Sequence, residues 1–279
     1  MTTAKDLVVK PIDRDTANAT VKRFHYSGKI VNNSQLHLGV FIDGRLEGAM
    51  QFGPSLDKRK IQGLVSGTQW HEFLELNRMA FGPALPRNSE SRAIAVAMRL
   101  LRKHAPQVKW VISFADATQC GDGAIYRASG FVLTGVKKND QVWAAPTGAR
   151  FSRTSLTDGR SKNEQEKAKT LSRVTATKGQ HSANGGGGAS MRQFIEAGFA
   201  PLDGFQIRYI YFIDPTCRAR LTVPELPYSE IARMGAGMYM GKKRGSGEID
   251  NAPGSNRETG GASPTDPLFV STGKTPELL

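Results

Sequence analysis

A chain of 279 residues with 39 % hydrophobic side chains is long enough to bury a sizeable core, while its 30 Gly and 14 Pro imply long irregular stretches. Its formal charge of +13 favours partners rich in phosphate, because each Lys or Arg that meets a phosphate releases condensed counterions. The two cysteines, Cys120 and Cys217, lie far apart, which excludes a zinc ribbon and a disulfide scaffold and fits a reducing compartment. No stretch approaches the roughly 18 apolar residues of a membrane span. The opening MTTAKDLVVKPIDRD carries no apolar run long enough for a signal peptide, so a soluble cytoplasmic protein is expected.

In chain order, residues 5–12 (KDLVVKPI) predict a strand, and Asp13 or Asp15 an N-cap for a helix to about Arg23. His25-Tyr26-Ser27-Gly28 breaks that helix. His37–Ile42 and Leu46–Phe52 read as strands joined by Asp43-Gly44-Arg45, a strong hairpin signal. Residues 53–69 read as a loop leading into a strand to Phe81. Asn88 or Ser89 offers an N-cap for a helix with apolar residues at Ile94, Val96, Ala97, Leu100 and Leu101. Trp110–Phe114 is a short apolar strand that ends before Asp116, followed by a helix over Gly123–Ser129 for which Asp122 is the natural cap. Phe131–Val136 and Gln141–Ala144 read as further strands. Residues 150–200 are polar, basic and, at Asn184–Gly188, linker-like; they read as an insertion before the last strand, Gln206–Ile213, with a separate mini-domain as the alternative. Residues 234–279 read as a flexible tail, since a Gly/Pro/Ser/Thr-rich stretch cannot offset its ordering entropy. The division expected is a core over 1–149, the insertion over 150–200, a closing strand over 201–233 and the tail. Paired strands, one strand–helix–strand–helix unit and closing strands predict an α/β (α+β) fold with a mixed twisted sheet flanked by helices.

Several polar residues do not fit this apolar pattern. Glu75 stands between Leu74 and Leu76, where a carboxylate must be paired or desolvated. Strand alternation puts Glu75 and Asn77 on one face and Arg78 on the other. Asp116 lies just past a strand end, where open α/β sheets place their ligand crevice. The first turn after Asn88, with Glu90 and Ser91, offers backbone N–H groups to an anion. His25-Tyr26-Ser27 is the densest set of donors in the chain, and Cys120 in its Gly-containing turn is a weak candidate nucleophile. No HExxH or GxSxG motif is present.

At these residues the chain resembles the phage Mom family: FHYSG at 24–28, ELNRM at 75–79, PRNSESR at 86–92, SFAD…GDGAIYRASGF at 113–131 and RYIYFIDP at 208–215. The resemblance implies a sheet like that of the GNAT acyltransferases and transfer of a carbamoylmethyl (acetamido) group to N6 of adenine in double-stranded DNA, which protects phage DNA from restriction in the host cytoplasm. Carried over by position, His25, Tyr26, Ser27, Glu75, Arg78, Asp116, Tyr126 and Ser129 would form the catalytic set, and Asn88, Glu90 and Ser91 would bind substrate or cofactor. Adenine N6 is a poor nucleophile, so the base must leave the stack and lose a proton as the new bond forms; Asp116 or Glu75 could be the base, and Tyr26 or Tyr126 could stack on the extruded ring. A His with carboxylates is a donor set that suits Fe(II), which makes His25, Glu75 and Asp116 a candidate metal site.

Two departures bear on the cofactor. FGPALPRNSES replaces the glycine-rich pyrophosphate loop of GNAT enzymes, so the loop does not support acetyl-CoA. Cys120-Gly121-Asp122 stands where a Gly-His pair is expected. The alternatives are an acyl-CoA-dependent N-acyltransferase and a non-catalytic DNA-binding phage protein.

Overall fold

The computed structural model describes residues 2–157 and 190–244. The expected linker at Asn184–Gly188, most of the expected insertion and the tail beyond 244 lie outside these residues.

A seven-stranded mixed sheet forms the frame. Its strands are β1 (Val8–Pro11), β2 (Leu36–Ile42), β3 (Arg45–Gly53), β4 (Phe73–Phe81), β5 (Trp110–Ala117), β6 (Val132–Lys138) and β10 (Phe205–Phe212). They lie in the order β1-β2-β3-β4-β5-β10-β6. All neighbours are antiparallel except β4 and β5. Asp43 and Gly44 both have positive φ, which is why the Asp-Gly pair closes the β2–β3 hairpin in two residues. The strand latest in sequence, β10, lies inside the sheet rather than at its edge. Ile207, Tyr209 and Ile210 are fully buried, a pattern that needs cover on both faces.

Helix α1 (Arg14–Phe24), capped by the Asp13 carboxylate on the Thr16 N–H, packs against β3 and β4. On the other face, α3 (Ser89–His104) buries Ala93, Ile94, Ala97, Met98 and Leu101 together with Leu38, Val40, Met50, Phe52, Leu76 and Val111 of the sheet. The expected loop at 53–69 contains a short helix, α2 (Lys58–Gln62), capped by Asp57; Ile61 joins Leu64 and Val65 in a second apolar cluster with Phe73, Trp110, Ile112 and Ile210. That is the reason a polar-looking stretch is ordered.

Between β4 and β5, parallel pairing holds only at Phe73, Leu74 and Glu75 against Trp110, Val111 and Ile112. The closed end is fixed by Trp110 stacked on Phe73, with ring centroids 4.6 Å apart and planes 8° from parallel. Beyond it the strands separate. The β3–β4 register shifts between Gln51 and Phe52, which leaves Asn77 as an extra residue in β4. Such a bulge bends the strand and adds local twist.

The ends of the 150–200 stretch make a small module. Strands β7 (Val142–Ala144), β8 (Arg150–Ser152) and β9 (Ala200–Pro201) form a three-stranded sheet in the order β8-β7-β9. With α5 (Arg153–Thr157) and α6 (Met191–Glu196) it buries Trp143, Phe151, Leu156, Phe194 and Phe199 in a cluster of its own. The stretch assigned to a flexible tail also begins in order: α7 (Ser229–Arg233) leads to a hairpin of β11 (Met238–Tyr239) and β12 (Lys242–Lys243). Its apolar anchors Ala236 and Met238 are buried in the main core, and that outweighs the glycines on either side.

Helix α4 (Ala124–Ala128) starts at Gly123, not under an Asp122 side-chain cap. Gly123 has φ +85°, and a Cβ there would lie 2.4 Å from the Tyr209 ring. Gly123→Ala is therefore expected to cost about 2–4 kcal/mol, from left-handed strain and overpacking together. Urea unfolding measures this, and a midpoint equal to that of the unsubstituted chain would contradict the packing described.

Candidate active site

The separation of β4 from β5 opens a cleft of about 600 Å³. One wall is the bulged part of β4 (Leu76–Met79, with Phe81) and the other is Phe114–Asp116 of β5. His25 and Tyr26 close one side; the turn from Gln119 to Gly123 and the hairpin residues Met238, Tyr239 and Met240 close the rest. Asp116 is not beyond the strand, as the sequence suggested, but within β5, which extends to Ala117 through its pairing with β10.

Asp116 is the most heavily hydrogen-bonded side chain of the cleft. Its Oδ2 accepts from the Tyr26 hydroxyl at 2.8 Å and the Gln119 amide at 3.1 Å. Its Oδ1 accepts from the Thr118 N–H at 3.0 Å, the Gln206 amide at 3.2 Å and the Thr118 hydroxyl. These donors come from the end of α1, the β5 turn and β10, so the carboxylate ties together elements distant in sequence. Although the Tyr26 ring is half exposed, desolvation around its hydroxyl and then the neighbouring Asp116 charge raise the phenol above its usual value, and Tyr26 keeps its proton.

His25 caps the end of α1, its N–H donating to the Val21 carbonyl, and Gly28 at φ +60° turns the chain back. Its Nδ1 accepts from the Ser27 N–H at 3.2 Å and lies 2.8 Å from the Ser27 hydroxyl. Burial, then the Arg78 charge, push the imidazole down to about 4, with Asp116 opposing. The ring is neutral at pH 7, and an accepting Nδ1 leaves Nε2 carrying the hydrogen. With Nδ1 engaged by Ser27, the Nε2–H is the donor that the ring offers.

Arg78 shares a sheet face with Glu75 instead of lying on the opposite one, because the extra residue at Asn77 breaks the alternation on which that expectation rested. Its charge acts on Tyr26, Glu75, Asp116 and Tyr126. Its Nε donates to the Lys29 carbonyl at 3.2 Å and Nη1 to the Asn77 carbonyl at 2.8 Å. Glu75 does not line the cleft. Burial raises its carboxyl above the usual range, with the nearby Ser55 and Asn77 side chains and the Arg78 charge opposing. Tyr126 lines the cleft, but its ring is packed against Phe131 and Tyr209 and is only 7 % exposed; burial pushes its hydroxyl up to about 12. Of the two candidate stacking tyrosines, only Tyr26, 49 % exposed, presents a free face.

The remaining expected residues divide. Glu90 lines the cleft, whereas Asn88 and Ser91 do not. Asn88 occupies the N-cap position of α3 in a left-handed conformation, and its side chain makes no capping bond. Ser91 Oγ donates to the Asn88 carbonyl and Ser129 Oγ to the Ile125 carbonyl, so both are used locally. Asp122 is buried and pairs with Arg127 at 3.2 Å. Cys120 is an exposed residue at the cleft wall; partial desolvation by its surroundings and the Asp116 charge push its thiol up, which opposes a nucleophilic role. Among the described residues no three His, Cys, Asp or Glu side chains gather as a metal site, so His25, Glu75 and Asp116 do not form the expected Fe(II) ligand set. The physical reason is that Glu75 lies outside the cleft and the His25 Nδ1 accepts from the Ser27 N–H, so the three side chains do not converge on one point. Sequence reading missed Gln119, Gln206 and the Met238–Met240 segment; for the last, an apolar-aromatic triplet before a glycine was the available signal.

The fold and site define a mixed α/β protein with a cleft between two diverging parallel strands. Residues 6–230 match the model of the Mom protein family, and the chain belongs to that family. It is similar to the methylcarbamoylase mom of Escherichia phage Mu, 43 % identical over 133 residues, which are 47 % of this chain and 55 % of that protein. The chain thus spans about half the length of the curated relative it matches. Among solved structures it is similar to a spermidine/spermine N-acetyltransferase from Vibrio cholerae, with 8 % identity and a TM-score of 0.40 over 78 % of this chain and 99 % of that one. It is also similar to an acetyltransferase of the GNAT family from Streptococcus pneumoniae, with 15 % identity and a TM-score of 0.34 over 48 % of this chain and 89 % of that one.

The His25 ring makes the electrostatics testable. Its folded-state pKa lies below the ordinary 6.5, so the unfolded chain takes up this proton first as the pH falls. His25 therefore costs stability progressively between pH 6.5 and about 4, and no more below that. Imidazole NMR of the native protein should give a His25 midpoint near 4, and a midpoint near 6.5 would contradict the buried, neutral assignment.

Proposed function

We propose that this protein transfers a carbamoylmethyl group to N6 of adenine in double-stranded DNA, acting on phage DNA in the host cytoplasm and shielding it from restriction. The observation that carries the reading is the Tyr26–Asp116 hydrogen bond, 2.8 Å, inside the cleft of a chain that belongs to the Mom family. The similarity to the methylcarbamoylase mom of phage Mu supports transfer of a small carbamoyl-bearing group. The charge of +13 supports a polyanionic substrate.

A cleft of about 600 Å³ is of the size that holds small ligands, and it suits an extruded base together with a small donor. The exposed face of Tyr26 is where the adenine stacks, since the Tyr126 ring is already covered. As the N6–carbon bond forms, the bond from the methylene carbon to the rest of the donor breaks, its electron pair departs with the leaving group, and a proton on N6 must leave. Glu90, Asp116 and Asp122 line the cleft and Glu75 does not. Asp122 is paired with Arg127, and Asp116 is the carboxylate bonded to Tyr26, against which the base stacks, so Asp116 takes that proton; Tyr26, Thr118, Gln119 and Gln206 fix its orientation. The neutral His25 donates from Nε2 to a carbonyl or ring nitrogen, with Ser27 setting its tautomer. Arg78, held by two backbone carbonyls, keeps Nη2 for the carboxamide or carboxylate of the donor.

Nucleoside mass spectrometry of DNA from cells expressing the protein tests this directly. Carbamoylmethyl-deoxyadenosine is expected, and unmodified deoxyadenosine would sink the reading. Asp116→Asn should lower the yield at least about a hundredfold, the scale of a lost general base, while DNA affinity keeps its steep salt dependence. Tyr26→Phe removes one of the five bonds to Asp116 and should cost less. An Asp116→Asn protein with full yield would remove the carboxylate from the mechanism.

A further inference from the structure

The hairpin beside the cleft has a tip that neither the stability of the fold nor the transfer step calls for. β11 and β12 are joined by Met240-Gly241, with φ of +47° and +75°. Positive φ at both turn positions is the type I′ geometry, which Asn-Gly or Gly-Gly adopts without strain and a methionine does not. Packing does not account for the choice, because Met240 is 78 % exposed. A strained, solvent-facing apolar side chain at the end of a tight hairpin lowers stability and solubility alike.

The base of that hairpin is fixed. Met238 is buried, and its carbonyl accepts from the Asp122 N–H at 2.9 Å. The Gly241 N–H donates to the Cys120 carbonyl at 2.7 Å, and the Arg244 N–H to the Gly237 carbonyl at 3.1 Å. The tip is thus held by the same turn that completes the cleft. Around it, Tyr26 (49 % exposed), Phe114 (37 %) and Tyr239 (47 %) are also large apolar side chains left open to solvent on the lining of this one cleft. Lys242 and Lys243 follow the turn and are exposed, Lys243 paired with the still more exposed Asp203.

We propose that the Met238–Lys243 hairpin is a DNA wedge: Met240 enters the base stack next to the target adenine and fills the gap the extruded base leaves, with Lys242 on a flanking phosphate. The inference rests on the DNA reading above and adds how the base is brought out. Apolar side chains, methionine among them, are inserted between base steps by proteins that unstack duplexes. The unbranched thioether adapts to an irregular gap better than a branched chain would. Basic residues beside an apolar point are the complement of a duplex, in which the opened stack is flanked by phosphates.

The test uses the full chain and a set of duplexes in which one adenine at a time is replaced by 2-aminopurine, whose fluorescence rises on unstacking. The unsubstituted protein should raise the signal in at least one duplex. Met240→Asn suits the left-handed turn and is expected to melt no lower, but it should cut that rise about tenfold. Its loss of modification should shrink when the target adenine is mismatched and already loosened. Met240→Leu, apolar at the tip, should restore much of the signal. Lys242→Gln should weaken DNA affinity for every sequence alike and reduce the salt slope by about one. Met240→Asn with the full fluorescence rise would overturn the wedge. So would a protein that modifies DNA while raising fluorescence in no duplex, an outcome that leaves the transfer reading standing. A chain that neither binds nor modifies DNA overturns both.

Discussion

Everything at the site depends on how far β4 and β5 stay paired. Parallel pairing lasts for three residues on each strand and is secured by the stacked rings of Phe73 and Trp110, with the Trp110 indole N–H donating to the Thr68 hydroxyl at 3.2 Å. Past Glu75 and Ile112 the extra residue at Asn77 turns β4 aside, while β5 continues straight on its pairing with β10. Two internal strands are thereby left facing each other without further backbone pairing, bridged at the start of the split by the Ser113 hydroxyl donating to the Leu76 carbonyl at 3.3 Å, and the cleft is the space between them. A split in the middle of a sheet stays open only if both sides are held elsewhere. Here β3 holds one and β10 the other, which explains why the last strand in sequence is placed in the interior of the sheet.

Asp116 acts within that frame as the point of convergence. Its five donors come from the α1 terminus, the β5 turn and β10, so the carboxylate is oriented by the same contacts that keep the wall of the cleft in place. The neighbouring groups are matched to it: Tyr26 stays protonated as a donor, His25 stays neutral, and Arg78 supplies the positive charge. A site built this way presents a fixed carboxylate and several fixed donors, which is the preorganised arrangement suited to moving a proton from a weak nucleophile.

Much of the frame was legible in the sequence because local chemistry determines it. Asp13 caps α1, Asp43-Gly44 closes its hairpin, and the apolar spacing of α3 marks the face it buries. The family resemblance led to His25, Tyr26, Arg78, Glu90, Asp116 and Tyr126, and all of them line the cleft. What could not be read depends on distant partners. The register shift that turns Arg78 inward is set by β3, and the interior place of β10 is set by strands some seventy or more residues earlier. Ser129 matched the motif, yet its hydroxyl is spent on the carbonyl of Ile125. The stretch 234–244 was hidden by the glycines around it, although burial of Ala236 and Met238 is what orders it.

The central claim is that the adenine enters the split between β4 and β5 and lies against Tyr26. Photo-crosslinking with duplex DNA carrying 8-azidoadenine, followed by peptide mass spectrometry, tests that placement most directly. Adducts concentrated on the peptides holding Tyr26 and Tyr239 are the predicted result. Adducts confined to surfaces away from the cleft, with those peptides unmodified, would contradict the account.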